Sequence, residues 1–155
     1  MKLIYTALVA TVFAAPVFAD SHSAGDAAAG EKNFGKCKAC HAIVDDAGEV
    51  IQKGGKTGPN LFNIVGRQAG SVDGYKYGKS LVEAGDAGLI WDEASLAAYM
   101  TNPTEFLRET LDDSKARSKM SFKLRKGGED VAAYLASVSP AATDDMGEEE
   151  APKSE

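Results

Sequence analysis

Residues 37–41 read Cys37-Lys38-Ala39-Cys40-His41. Cys-x-x-Cys-His is the attachment signature of c-type haem. The reason is geometric: two thiols at this spacing add to the two vinyl groups of one porphyrin. His41 then lies directly beneath the ring with its imidazole able to ligate iron. Two other chemistries share the Cys-x-x-Cys half of the pattern. A thioredoxin-type dithiol wants a βαβ context, which the surrounding residues do not supply. A closed zinc site wants four ligands, and beyond the motif the only other imidazole is His22, in a polar stretch near the N-terminus.

Counting narrows the second axial ligand. His22 and His41 are the only histidines, so a second imidazole is not expected and a methionine or an open position remains. Of the methionines after the leader, Met146 sits in an acidic tail. Met100 pairs with Leu96 at i, i+4 on an apolar helical face, where core packing is the ordinary role. Met120 stands in the polar run Ser118-Lys119-Met120-Ser121-Phe122, where periodicity offers it no packing partner. A loop can bring a thioether over an open haem face, so Met120 is the expected ligand, one that favours Fe(II) and raises the potential.

Working outward, the periodicity is helical and sparse. A first helix is expected from Asp26 as N-cap, with Gly30, Phe34 and Cys37 on one stripe. Residues 77–85 suggest a short helix. Asp92 caps another, carrying Leu96, Tyr99 and Met100 and ending before Asn102-Pro103. A last helix follows Gly127-Gly128, with Val131, Tyr134, Leu135 and Val138 at i, i+3, i+4, i+7 and a stop at Ser139-Pro140. Glycine and turn residues fill the rest, and long alternating strand patterns are absent. The expected fold is all-α, with few helices and long loops wrapped around one covalently bound haem.

The chain has 155 residues, 44% of them apolar and 26% charged, with a net charge of −6. That suits one globular domain and argues against nucleic acid as a partner, since no positive excess exists to displace phosphate counterions. Residues 1–19 have a basic start, an uncharged stretch from Leu3 to Phe18 and small residues before Asp20, the pattern of a cleaved signal peptide. A retained anchor is the alternative. Export to the periplasm follows from cleavage. Residues 20–25 read as a loose end, 26–140 as the domain, and 141–155, with six acids and one lysine, as a disordered acidic tail.

The motifs continue in order along the domain. Gly30 and Phe34 precede the cysteines; Lys56-Thr57-Gly58-Pro59-Asn60-Leu61, Gly66-Arg67 and Gly74-Tyr75-Lys76-Tyr77 follow. Then come Ile90-Trp91, Tyr99 with Asn102-Pro103, Lys119-Met120-Ser121-Phe122 and Tyr134-Leu135. Across residues 26–138 the chain resembles soluble class I cytochromes c of the bacterial periplasmic electron-carrier type, kin to mitochondrial cytochrome c. The resemblance implies that the Pro59 carbonyl accepts the His41 imidazole proton. It implies that Tyr77 and Trp91, with Arg67 nearby, hydrogen-bond a haem propionate. Tyr99 would lie near the Met120 sulfur, and Gly30 would let the first helix cross the last at Tyr134. Segments 45–55 and 108–118 are longer than in the mitochondrial proteins, so their conformation does not carry over.

Residues 115–126 hold Lys115, Arg117, Lys119, Lys123, Arg125 and Lys126 with no acid. Lys36 and Lys38 flank Cys37, and by resemblance Lys53, Lys56, Lys76 and Lys79 lie around the cofactor. A positive haem edge would steer encounter with acidic docking surfaces. The implied role is that of a monomeric carrier, not an enzyme, docking transiently with its partners. It would take electrons from a membrane cytochrome bc1-type complex to an oxidase, a photosynthetic reaction centre or a periplasmic reductase. A haem enzyme such as a peroxidase or reductase would instead want a displaceable sixth ligand and distal acid/base groups. No second histidine is available near the site to serve there.

Overall fold

A computed structural model of the chain describes residues 25–139. The expected signal peptide, most of the loose N-terminal end, Pro140 and the acidic tail lie outside the described residues. Helix α1 (Ala27–Asn33) starts where Asp26 accepts hydrogen bonds from the amides of Ala28 (2.8 Å) and Ala29 (3.2 Å). Its alanine-rich sequence favours helix, and it tightens into a 3₁₀ turn over Phe34–Lys36 that delivers Cys37. The expected stripe from Gly30 to Cys37 is therefore split between two helical geometries.

Two short strands follow, β1 (Ile43–Val44) and β2 (Val50–Gln52), paired antiparallel. The expected loop over 45–55 is thus partly a hairpin. Its turn is closed by the amide of Glu49 donating to the Asp45 carboxylate at 2.7 Å, with Gly48 in the left-handed region at φ 85°. Five strand residues leave no alternation long enough to read from sequence.

Helices α2 (Lys79–Asp86), α3 (Glu93–Thr101), α4 (Pro103–Leu111) and α5 (Gly128–Ser137) complete the described fold. A reciprocal capping box between Asp92 and Ser95 opens α3, as Asp92 led us to expect. Helix α4 is a correction to the sequence reading. Asn102-Pro103 does end α3, but Pro103 is also the first residue of the next helix, where a missing N–H and a fixed φ cost nothing. Phe106 and Leu111 face inward, Leu107 is fully buried, and Asp112 closes the helix in the left-handed region at φ 48°.

Helices α1 and α5 cross at Gly30. A Cβ there would collide with the carbonyl of Asp130 and come within 2.8 Å of the Tyr134 Cβ, so only glycine allows this approach. Phe34 packs on Tyr134 with ring centroids 5.8 Å apart. Phe34, Ile43, Leu107, Val131 and Leu135 form the fully buried centre. Among the described residues no helix is long and apolar enough to cross a membrane.

Candidate haem site

The 3₁₀ turn hands the chain to a tight loop. The amides of Cys40 and His41 both donate to the Cys37 carbonyl, at 3.0 and 2.9 Å. Residues 54–58 then run back across this loop. The Gly55 amide donates to the Lys38 carbonyl at 2.9 Å and the Gly58 amide to the Cys40 carbonyl at 2.8 Å. A Cβ at Gly58 would stand 2.6 Å from His41 Nδ1 and 2.7 Å from Nε2, so the backbone of residue 58 lies against the imidazole.

The His41 ring is oriented by the Pro59 carbonyl oxygen, 2.8 Å from Nδ1. A carbonyl only accepts, so the proton sits on Nδ1 and the lone pair on Nε2. Burial lowers the His41 pKa, with the Pro59 bond opposing, and the neutral ligating form is favoured. Burial pushes the Cys37 thiol up, countered in part by Lys36.

These residues open onto a cavity of about 720 Å³ whose wall includes Cys37, Cys40, His41, Pro59, Met100 and Met120. That volume falls in the usual range for a bound cofactor, roughly 300–1,000 Å³. Leu61, Ile64, Leu81, Leu96, Val131 and Leu135 make much of its lining apolar. A large planar apolar group with two thiols and an imidazole at one wall fits these residues; a zinc ion does not. Among the described residues, no three His, Cys, Asp or Glu side chains cluster as metal ligands.

Both methionines of interest line the cavity, and their settings differ. Met100 is a buried residue of α3 whose carbonyl accepts from the Leu124 amide at 2.8 Å. Met120 is half-buried in the loop before α5, and its amide donates to Ser118 Oγ at 3.1 Å. That hydroxyl shares a hydrogen bond of 2.8 Å with Tyr99. Tyr99 therefore orders the Met120 loop through Ser118. Trp91, Tyr99 and Phe106 form an aromatic cluster, with centroids 5.2 to 5.9 Å apart.

Tyr77 and Trp91 line the cavity, whereas Arg67 does not. The Arg67 guanidinium donates to the carbonyls of Phe62 (2.9 Å) and Asn60 (3.2 Å), bracing the loop that carries them. Its charge opposes the burial that raises the Tyr77 pKa, so the two groups are close. Tyr75 also lines the cavity, and its hydroxyl reaches the Thr57 carbonyl at 2.7 Å. The sequence offered no separate sign of that role beyond its place beside Tyr77. Lys36, Lys76 and Lys119 stand at the rim, with Lys119 Nζ donating to the Lys76 carbonyl at 2.7 Å.

No family model matches the chain. Curated relatives do. Cytochrome c-551 of Roseobacter denitrificans is 62% identical over 132 residues, which is 85% of this chain and 91% of that protein. Cytochrome c2 of Rhodobacter capsulatus is 54% identical over 140 residues, 89% of this chain and 98% of that one. The solved structure of Rhodobacter capsulatus cytochrome c2 superposes with a TM-score of 0.73 at 57% identity, covering 74% of this chain and 98% of that chain. Ferric cytochrome c-550 of Paracoccus versutus gives 0.73 at 51% identity, covering 75% and 99%. The Cys-x-x-Cys-His loop, the helix crossing at Gly30 and this similarity over nearly the whole domain agree: the chain belongs to the bacterial class I cytochromes c, haem proteins that transfer electrons and are not enzymes.

Proposed function

We propose that this protein is a soluble periplasmic one-electron carrier whose haem c is bound through Cys37 and Cys40 and ligated by His41 and Met120. The observation that carries this reading is the 2.8 Å bond between His41 Nδ1 and the Pro59 carbonyl, in a cavity that Met120 also lines. Bound haem supplies an Fe(III)/Fe(II) couple. The protein does the rest. Pro59 holds the imidazole in the tautomer that offers Nε2 and raises its basicity. The Tyr99–Ser118 pair fixes the backbone of Met120, whose thioether favours the reduced state. The apolar wall keeps water away, and Tyr77 and Trp91 offer O–H and N–H donors suited to a propionate, with Arg67 bracing from behind.

The uncharged leader over residues 3–18 supports export. Lys36, Lys76 and Lys119 at the cavity rim support docking to acidic surfaces. The partners would be a bc1-type complex on one side and an oxidase, reaction centre or periplasmic reductase on the other.

Acid-acetone treatment of the purified protein should leave the colour on the polypeptide, and its visible spectrum should be that of six-coordinate low-spin haem. Met120→Ala should convert it to an open sixth site with a lower potential, while Met100→Ala keeps the iron–sulfur signature. Freely extracted haem would refute the covalent assignment; loss of the signature in Met100→Ala alone would reverse the ligand assignment.

A further inference from the structure

Gln52, the last residue of β2, is buried, and its side chain makes two hydrogen bonds to distant elements. Nε2 donates to the Tyr134 hydroxyl on α5 at 2.8 Å and to Glu31 Oε1 on α1 at 3.2 Å. The backbone of Gln52 is paired with Ile43, two residues beyond His41. Gln52 therefore ties the hairpin to the α1–α5 crossing at the point where the chain turns back under the haem-binding loop.

The residues after Gln52 form the wall behind His41. A Cβ at Gly54 would collide with the His41 carbonyl and one at Gly55 with that of Ala39. Gly55 and Gly58 donate to Lys38 and Cys40, and Gly58 abuts the imidazole. All three glycines thus meet the loop from Lys38 to His41 through backbone or a bare Cα, contacts with tolerances of a few tenths of an ångström. A glycine-rich segment has few side chains with which to anchor itself. The side chain that anchors its upstream end is Gln52.

We propose that Gln52 is a positioning residue for His41: through Tyr134 and Glu31 it holds residues 54–58 against the haem-binding loop and so maintains the Nδ1–Pro59 hydrogen bond. The inference rests on His41 being the iron ligand. With Gln52 removed, the wall loosens, the Pro59 bond weakens, and the imidazole becomes a poorer donor to iron. Fe(III) is then less well stabilised and the potential rises. A merely structural Gln52 that satisfies the Tyr134 hydroxyl would lower stability without either local effect.

The test uses the full-length holoprotein in five forms: wild type, Gln52→Leu, Tyr134→Phe, the two combined, and Leu107→Val. Leu107 is fully buried in α4 and outside the cavity lining, so its variant controls for general destabilisation. Amide exchange in the reduced state is expected to accelerate at least tenfold at Gly55 and Gly58 in Gln52→Leu relative to amides of α4. Tyr134→Phe should do so at the same sites to a smaller extent, and combining it with Gln52→Leu should add nothing. At a fixed solution potential, the reduced-to-oxidised ratio should rise at least twofold in Gln52→Leu and stay unchanged in Leu107→Val. Uniform acceleration across all helices, or a ratio that does not rise, overturns the proposal. Should Gln52→Leu not fold, Tyr134→Phe alone decides it by the same two readings. The wild-type spectrum reports separately whether His41 ligates a covalent haem, so the two ideas fail independently.

Discussion

Gly58→Ala puts one methyl group where the structure leaves none. The backbone of residue 58 is not in the left-handed region, so alanine is tolerated conformationally and the cost is steric. The added Cβ would lie 2.6 Å from His41 Nδ1 and 2.7 Å from Nε2. Cε1 would be closer still, and ordinary contact begins near 3.4 Å, so the ring must retreat by about 1 Å. Retreat strains or breaks its 2.8 Å bond to Pro59. Overpacking costs about 1–3 kcal/mol, and losing the bond adds about 0.5–1.5 kcal/mol. At roughly 3–5 °C per kcal/mol for a domain of this size, the sum of about 1.5–4.5 kcal/mol lowers Tm by roughly 5–22 °C. Gly35→Ala is the matched control. It lies just before Cys37, yet a Cβ there meets nothing within 4 Å, so it should be neutral or stabilise by up to about 1 kcal/mol. The assay is thermal unfolding of the ferric holoprotein, followed by far-UV dichroism and by the haem spectrum. Gly58→Ala should also alter the haem–histidine signature below its Tm. An unchanged Tm and spectrum, or equal damage from Gly35→Ala, would refute the account of the His41 wall.

Other expectations concern packing, capping and charge. Met100→Ala should cost about 2–5 kcal/mol of stability with the haem spectrum kept, since a buried α3 side chain is lost; chemical denaturation measures it. Hydrogen bonds from Ser95 hold the Asp92 carboxyl below its ordinary range, so its capping contribution is present above the unfolded pKa near 4 and fades as pH falls through the folded value. Asp92→Ala should therefore cost about 0.5–2 kcal/mol at pH 7. Asp92→Asn should keep most of the cap and flatten the acid limb of the Tm–pH curve; an unaltered limb would contradict the capping role. Electron transfer to an acidic partner should slow as salt rises and on charge reversal at Lys119 or Lys123. Deleting residues 141–155 should matter less than either reversal, and a flat salt response would sink the docking idea.

The site was legible because its chemistry is local in sequence. Five consecutive residues point to attachment and to one ligand of the proposed haem, and the histidine count left a methionine or an open position opposite. Helices whose caps are written beside them, such as Asp26 and Asp92, were legible for the same reason. Pro103 was not, because proline ends one helix and starts the next by the same fixed φ, and only packing of Leu107 reveals which is meant. The hairpin escaped because its register depends on Ile43 meeting Gln52 across a turn, and Gln52 reads as a loop polar residue until Tyr134 is seen beside it. Arg67 has a role the motif alone did not show: two of its donors bond the Asn60 and Phe62 carbonyls, bracing a loop while its charge stays close to Tyr77.

Net charge is a poor guide to how such a protein meets its partners. The whole chain carries −6, but residues 25–139 hold 16 acidic and 15 basic side chains, a net of −1, and residues 141–155 hold six acids against one lysine. A partner at the haem edge feels charges within about 8 Å at physiological ionic strength. Around the cavity mouth those are Lys36, Lys76 and Lys119. The ion pairs of the described residues, Lys79–Glu83 and Arg108–Glu105, involve none of these three and none of the six bases between 115 and 126. Their positive charge is therefore available to an incoming acidic surface. In the proposed role, this local field would govern encounter: an acidic protein can dock through a basic face because screening hides the rest of its charge from the partner.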